Sequence, residues 1–153
     1  MFKLLKNFLR GKASLKVDKK GKPLGRDLQA AIGALLLQMA GADEDYAPEE
    51  VYTVTRIIQR QLGLDTEEAA EVLEMSDELR LQEKKIDKFV ALINESFEPS
   101  QKQLILAMIW AVVIADGEVE KFENRFATQI RTRFQLSQAA ADEARKLAAS
   151  EQI

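Results

Sequence analysis

Residues 104–123 read LILAMIWAVVIADGEVEKFE, and the first twelve of them are all apolar. The pair Asp116-Gly117 ends this run before a second helical pattern begins at Val119. A helix that is apolar on every side has to be buried on every side. A run of twelve residues is too short to cross a bilayer. The stretch therefore predicts the central helix of a soluble domain and not a transmembrane span.

The start of this central helix carries a capping pattern. Ser100 follows Pro99 and precedes Gln103 by three residues, which is the spacing of a capping box. We therefore predict that the Ser100 hydroxyl and the Gln103 amide satisfy free N–H groups at the first turn.

Helical periodicity extends on both sides of the central helix. Three prolines and seven glycines interrupt it little, and that favours long helices over a many-turned β fold. Gly63 is placed to end one helix, and Asp65 with Glu68 forms a capping box that opens the next, to about Leu79. Residues 14–23 form a turn or small hairpin at most, which we interpret as a linker. We predict an all-α fold, a compact bundle of about seven helices without significant sheet. Their patterns begin near Asp27, Pro48, Asp65, Ile86, Ser100, Val119 and Ser137.

The composition excludes several kinds of chemistry. The chain has no cysteine and no histidine, so structural zinc sites, thiol redox chemistry and His-assisted nucleophiles are not expected. A bound metal would have to be a hard cation held by carboxylates, carbonyls and water. No pattern in the sequence indicates a substrate groove, and we predict that the protein is not an enzyme.

The charge is divided unevenly along the chain. Residues 1–26 carry a net charge of +8 and residues 27–153 a net charge of −11. We therefore divide the chain into a basic N-terminal arm and linker, residues 1–26, and a helical domain, residues 27–153. Such asymmetry bears on partners and not on fold.

The first ten residues, MFKLLKNFLR, form a short basic amphipathic segment. Apolar side chains on one face and lysines on the other predict an anchor on an anionic membrane surface. The alternative is that this segment folds back on the body as an extra helix, or frays. Nucleic acid is not an expected partner, because no aromatic residues interleave the lysines that follow. We expect a cytoplasmic protein, peripheral to the inner face of the membrane if the arm binds lipid, with an unidentified protein partner.

A degenerate internal repeat relates the two halves of residues 27–153. A shift of 73 residues superposes Ala42-Asp43 on Ala115-Asp116 and Glu50 on Glu123. Each half then contains an apolar helix, an acidic loop and two further helices. We predict that the halves share one arrangement, with the helices that end at Ala42 and Ala115 adjacent in the core.

The chain resembles the tellurite-resistance TerB-like family over about residues 28–147. The residues that carry the resemblance lie in the two acidic loops and in the segment FVALINESF, residues 89–97. The loops are similar to that family's paired Asp-Gly-x-hydrophobic-x-x-x-Glu pattern, although Glu44 stands where the pattern has glycine. The resemblance implies a duplicated all-helical domain, an acidic surface for divalent cations, a tie to membrane-associated tellurite resistance or stress response, and no known reaction.

The acidic loops give the candidate site. Residues 116–123 match the second half of an EF-hand loop, but the earlier ligand positions fall on Val112 and Ile114, so a full calcium cage is excluded. A weak, hydrated Ca²⁺ or Mg²⁺ site is the functional interpretation, and helix capping by the same acids, in a purely structural scaffold, is the alternative. The candidate ligands are Asp43, Asp45, Glu50, Asp116, Glu118 and Glu123.

Overall fold

Seven helices follow one another in the computed structural model, which describes residues 14–40, 48–83 and 85–153. Within these ranges the only β pairing is an isolated bridge between Val17 and Pro23. The predicted all-α class is therefore confirmed. Helix α6 has three consecutive parts, the middle one a π-helix. The bounds are α1 Arg26–Ala40, α2 Pro48–Leu62, α3 Thr66–Gln82, α4 Asp87–Ser96, α5 Pro99–Ala115, α6 Val119–Phe122, Glu123–Ala127 and Thr128–Arg133, and α7 Gln138–Ala149.

Helix α5 lies at the centre of the molecule, as its composition predicts. Trp110 and Val113 are both buried, and so is every residue from Leu104 to Trp110, so the burial extends around the whole helix. The helix packs against α7 and against α1. Its exposed residues are Pro99 at the start and Ile114 and Ala115 at the last turn. Met108 is fully buried and Trp110 is 5% exposed, so both side chains pack in the core.

Helix α1 is buried almost as completely as α5. Every residue from Gln29 to Leu37 is buried, followed by Met39 and Ala40. The sequence pattern indicated one central helix, whereas the fold has two that pack against each other. The burial of α1 is explained by its small residues Ala30, Ala31 and Ala34, because they let neighbouring helices approach it closely. The adjacency of the helices that precede the two loops agrees with our expectation, while the internal duplication itself stays a prediction.

Local signals at several helix ends act as predicted. Pro48 is the first residue of α2, Gly63 follows its end with a φ of 69°, and Asp65 and Glu68 form the capping box of α3. Ser137 caps α7 by accepting a hydrogen bond from Ala140 N–H at 3.1 Å. Helix α3 continues to Gln82, three residues beyond the predicted end.

The predicted cap of the central helix is wrong by two residues. Helix α5 begins at Pro99, with Glu98 at the N-cap position. Gln101 Oε1 accepts a hydrogen bond from Glu98 N–H at 2.9 Å, whereas Gln103 Nε2 donates to Ala140 O of α7 at 2.9 Å. Proline is favoured as the first helical residue because its missing N–H has no partner there, and this moves the cap to the residue before Pro99.

Residues 14–23 form the small hairpin that the sequence allows, and they pack on the helices. Asp18 accepts hydrogen bonds from Lys20 N–H and Lys22 N–H. The bond from Lys22 is the main cause that lowers the pKa of the Asp18 carboxyl. Leu15 is fully buried in the core. Gln101 Nε2 also donates to the carbonyls of Ser14 and Val17 at 2.9 Å each. This part of the expected linker therefore contributes to the core.

Two of the expected features lie outside the described residues. These are the amphipathic segment 1–10 and the first acidic loop, including Ala42, Asp43, Glu44 and Asp45. Within the described ranges, no helix is both long enough and apolar enough to cross a membrane.

Candidate acidic site at the end of the central helix

A tight backbone turn ends α5 and shapes the second acidic loop. Gly117 has a φ of 71°, Glu118 N–H donates to Val113 O at 3.1 Å and Gly117 N–H donates to Ile114 O at 3.2 Å. This is the Schellman pattern, in which glycine supplies the left-handed residue. A Cβ on Gly117 would meet nothing within 4 Å, so the backbone conformation and not the space requires glycine.

Asp116 occupies the C-cap position of α5, directly before this turn. Its side chain is half-buried, and Oδ2 is shielded from solvent without a hydrogen-bond partner among the described residues. Burial, as the largest cause, and the nearby carboxylates of Glu50 and Glu118 together raise the pKa of the Asp116 carboxyl to about 6. Asp116 is therefore a carboxylate in an unfavourable electrostatic environment.

Glu50 comes from the other half of the chain. It lies in the first turn of α2, immediately after the first acidic loop, and is half-buried. Its effect on the pKa of Asp116 places the start of α2 within electrostatic range of the end of α5. The structure thus brings together three of the predicted site residues, Glu50, Asp116 and Glu118, while Asp43 and Asp45 lie outside the described residues.

Glu123 faces a different surface. Its Oε1 forms an ion pair with Nη1 of Arg145 on α7, and the Arg145 guanidinium lies 4.6 Å from the centroid of the Trp110 ring. The Trp110 ring also makes an edge contact with Phe122, with centroids 4.8 Å apart. Asp116 and Glu123, which have the spacing of EF-hand ligands in the sequence, therefore lie in two separate environments.

The geometry gives neither a complete metal cage nor helix caps in the second loop. In the part of the chain that the structure describes, no three acidic side chains are positioned to hold one metal ion. Glu118 is at the N-cap position of α6 but makes no side-chain cap hydrogen bond. Asp116 stands at a helix C-terminus, where a negative charge opposes the helix dipole. Chemically, the cluster is able to bind a proton or a hydrated cation.

A cavity between α5, α6 and α7 is the feature that sequence reasoning missed. It has a volume of about 210 Å³. Two arginines, Arg131 and Arg145, line it from different helices. No motif marks them, since each is an isolated base in a helical pattern, and only the packing of α7 on α5 brings them together.

Comparison with known proteins identifies a family. The sequence model of a family described as "Tellurite resistance protein TerB" matches residues 29–146, most of the chain. No curated protein and no solved structure matches significantly.

Proposed function

Because the chain belongs to the tellurite resistance protein TerB family, we propose that it is a non-enzymatic interaction domain whose acidic loops bind a divalent cation weakly. The observation that supports this proposal is the environment of Asp116. Its shielded Oδ2 has no hydrogen-bond partner among the described residues, and two further carboxylates raise its pKa. A bound cation would remove that repulsion.

The residues fit a weak site better than a strong one. Mg²⁺ commonly keeps several of its waters and is held by one or two carboxylates. Asp116 and Glu118 would supply these, with Glu50 as a nearby negative charge and Asp43 and Asp45 as the predicted contribution of the first loop. Ca²⁺ takes more oxygen ligands than Mg²⁺, so at this site water would supply most of them and its binding would be weak as well. The ion would act by holding the start of α2 against the end of α5.

The competing proposal is a structural scaffold in which the loop acids only cap helices. It draws support from the first turn of α2, where Glu49 and Glu50 suit the helix dipole. It does not account for Asp116, which stands at the wrong end of a helix for a carboxylate.

Titration with a cation separates the two proposals. We expect MgCl₂ or CaCl₂ at millimolar concentration to shift the amide NMR signals of Gly117 and Glu118 and to raise the melting temperature, because a ligand that binds the native state stabilises it. Asp116→Asn should abolish both responses. The matched control is Glu120→Gln, which removes an exposed carboxylate on α6 and should leave both unchanged.

Glu123→Gln adds a further test of the predicted ligand set, because Glu123 pairs with Arg145. If this variant shows the same cation-induced amide shifts and rise in melting temperature as wild-type protein, Glu123 is not a cation ligand and serves only in the ion pair. The weakest protein calcium sites have dissociation constants of about 1 mM. If the amide signals of neither loop shift in wild-type protein at about 10 mM cation, the cation proposal is therefore wrong.

We propose further that the basic amphipathic segment 1–10 attaches the domain to anionic membranes. Each basic residue near such a surface contributes about 1 kcal/mol of attraction at low salt. We expect Lys3→Glu combined with Lys6→Glu to reduce co-sedimentation with vesicles that contain phosphatidylglycerol. Lys19→Glu combined with Lys20→Glu makes the same charge change in the exposed hairpin and serves as the control. Equal sedimentation of both double variants and wild-type protein would contradict this role.

A further inference from the structure

The cavity between α5, α6 and α7 contains an arginine whose hydrogen-bonding capacity is not used. Arg131 Nη1 donates to Leu136 O at 3.1 Å, but Arg131 Nε is shielded from solvent and has no partner among the described residues. A shielded donor without an acceptor is costly, and more so when the group is charged. The feature therefore indicates a missing acceptor.

The other charged groups of the cavity already have partners. Arg145 pairs with Glu123, and Asp142 Oδ1 accepts a hydrogen bond from Gln138 Nε2 at 2.9 Å. No carboxylate of the described residues forms an ion pair with Arg131. No described residue accepts a hydrogen bond from Arg131 Nε, so a bound water or ligand would have to supply the acceptor.

The remaining walls fit a small organic molecule. Leu106, Trp110, Ala127 and Ala141 supply an apolar surface, and Thr128 adds a hydroxyl. The volume of about 210 Å³ exceeds what an inorganic anion fills and is below the range of about 300–1,000 Å³ typical of drug-sized ligands. A π-helical segment, residues 123–127, borders the cavity, and such segments are frequent at functional sites.

We propose that this cavity binds a small organic oxyanion, a carboxylate or a phosphate monoester, through the Arg131 guanidinium. The planar fork of arginine matches both groups, because each presents two oxygens to parallel N–H donors. The organic part of the ligand lies against Trp110 and Ala141. This site is separate from the acidic loop at Asp116, and binding there does not require a cation.

Trp110 provides the measurement, since it is the one tryptophan of the chain and it lines the cavity under Arg145. The full-length protein is titrated with succinate, with glycerol 3-phosphate and with sodium chloride at matched ionic strength. We expect a saturable change in Trp110 fluorescence with at least one of the two oxyanions and none with chloride. A saturable response to either compound or to both supports the site, and a response to one of them alone identifies the anionic group.

Three variants test the role of Arg131. Arg131→Gln should weaken binding about tenfold or more, the loss typical of a hydrogen bond to a charged group. Arg131→Lys, which keeps the charge without the fork, should also weaken binding and serves if the first variant does not fold. Arg125→Gln is the matched control, because Arg125 is an exposed base on the same helix and lies over Phe126 outside the cavity.

Two results would overturn the proposal. One is a wild-type response to both oxyanions that is linear, or that equals the response to chloride. The other is binding by folded Arg131 variants with wild-type affinity, which would leave Arg131 only its hydrogen bond to Leu136.

Discussion

At the scale of single residues, the most informative group is the Asp116 carboxyl. Three effects act on it in one direction: partial burial, the carboxylates of Glu50 and Glu118, and the negative end of the α5 dipole. The charged form of this side chain is therefore disfavoured in the folded state. A residue that destabilises its own fold is expected where binding compensates the cost.

Asp116→Asn should stabilise the protein near neutral pH in the absence of divalent cations. The pKa of Asp116 rises from 3.8 in the unfolded chain to about 6 in the folded state. The folded state then holds the proton more tightly, so the free energy of unfolding falls as pH rises from 3.8 to about 6 and stays lower above this window. Since the side chain is partly exposed and screened, we expect a gain of about 1 kcal/mol in the variant at pH 7.5 and almost none at pH 4.

Urea unfolding of both proteins at these two pH values measures the effect. Glu118→Gln, at an exposed position beside the same carboxyl, should give a smaller gain at pH 7.5 by relieving part of the repulsion. Equal stability of wild type and Asp116→Asn at both pH values would show that the carboxyl is not perturbed.

At the scale of elements, α1 packs closely on α3 at Gly33. A Cβ built on Gly33 would lie 2.0 Å from Ser76 Oγ and 2.9 Å from Ser76 Cβ. Ser76 is fully buried, and its hydroxyl donates to Val72 O at 2.7 Å. The side chain of Ser76 therefore occupies the space that the absent side chain of Gly33 leaves, and it packs directly on the backbone of α1.

Gly33→Ala tests this contact. Alanine in a helix interior is favoured over glycine by about 1 kcal/mol, but overpacking of a core costs about 1–3 kcal/mol, and the clash at 2.0 Å should make the net effect destabilising. Ser76→Gly should restore much of the loss when combined with Gly33→Ala. Denaturation of the two single variants and the double variant gives the coupling free energy. An increase in melting temperature for Gly33→Ala alone would contradict the close packing.

Helix α6 shows how a side-chain pattern departs from a regular helix. Phe122, Phe126 and Ile130 are spaced by four residues, and in an α-helix each such step rotates the side chain by about 40° away from a common line. The π-helical segment between Phe122 and Thr128 takes an extra residue per turn and corrects this drift. Phe122 and Ile130 are both buried as a result. The sequence predicted one regular helix from Val119 to Phe134, and the π segment follows from the need to bury both residues.

At the scale of the whole molecule, the hairpin before α1 closes one end of the bundle. Leu15 is buried in the core. Gln101 Nε2 of α5 donates hydrogen bonds to the carbonyls of Ser14 and Val17. At the end of α4, Ser96 O accepts a hydrogen bond from Lys19 N–H. The hairpin thus joins α4 and α5 to a segment far from them in sequence.

Leu15→Ala should therefore destabilise the domain by about 2–4 kcal/mol, the usual loss when a buried leucine leaves a cavity. Leu81→Ala is the matched control, because Leu81 is 53% exposed at the end of α3 and should change stability by less than about 0.5 kcal/mol. Chemical denaturation of both variants provides the comparison. A loss at Leu15 as small as that at Leu81 would mean that residues 14–23 act only as a linker.

The sequence by itself determined the features that depend on neighbours along the chain. The apolar run at residues 104–115 required burial on all sides, and Asp65, Gly63 and Ser137 marked helix ends because caps and left-handed residues act within a single turn. These signals were sufficient for the all-α class and for most helix boundaries.

The tertiary structure alone decided which residues meet. Glu50 raises the pKa of Asp116, and Glu123 forms an ion pair with Arg145. Gly33 packs against Ser76, and Leu15 is buried in the core. In sequence, Asp116 and Glu123 form one motif, yet the structure separates them, because a buried Phe122 fixes the rotation of α6. The physical reason is general: spacing along a helix specifies which face a side chain shares, and only the packing of that helix on others specifies what the face contacts.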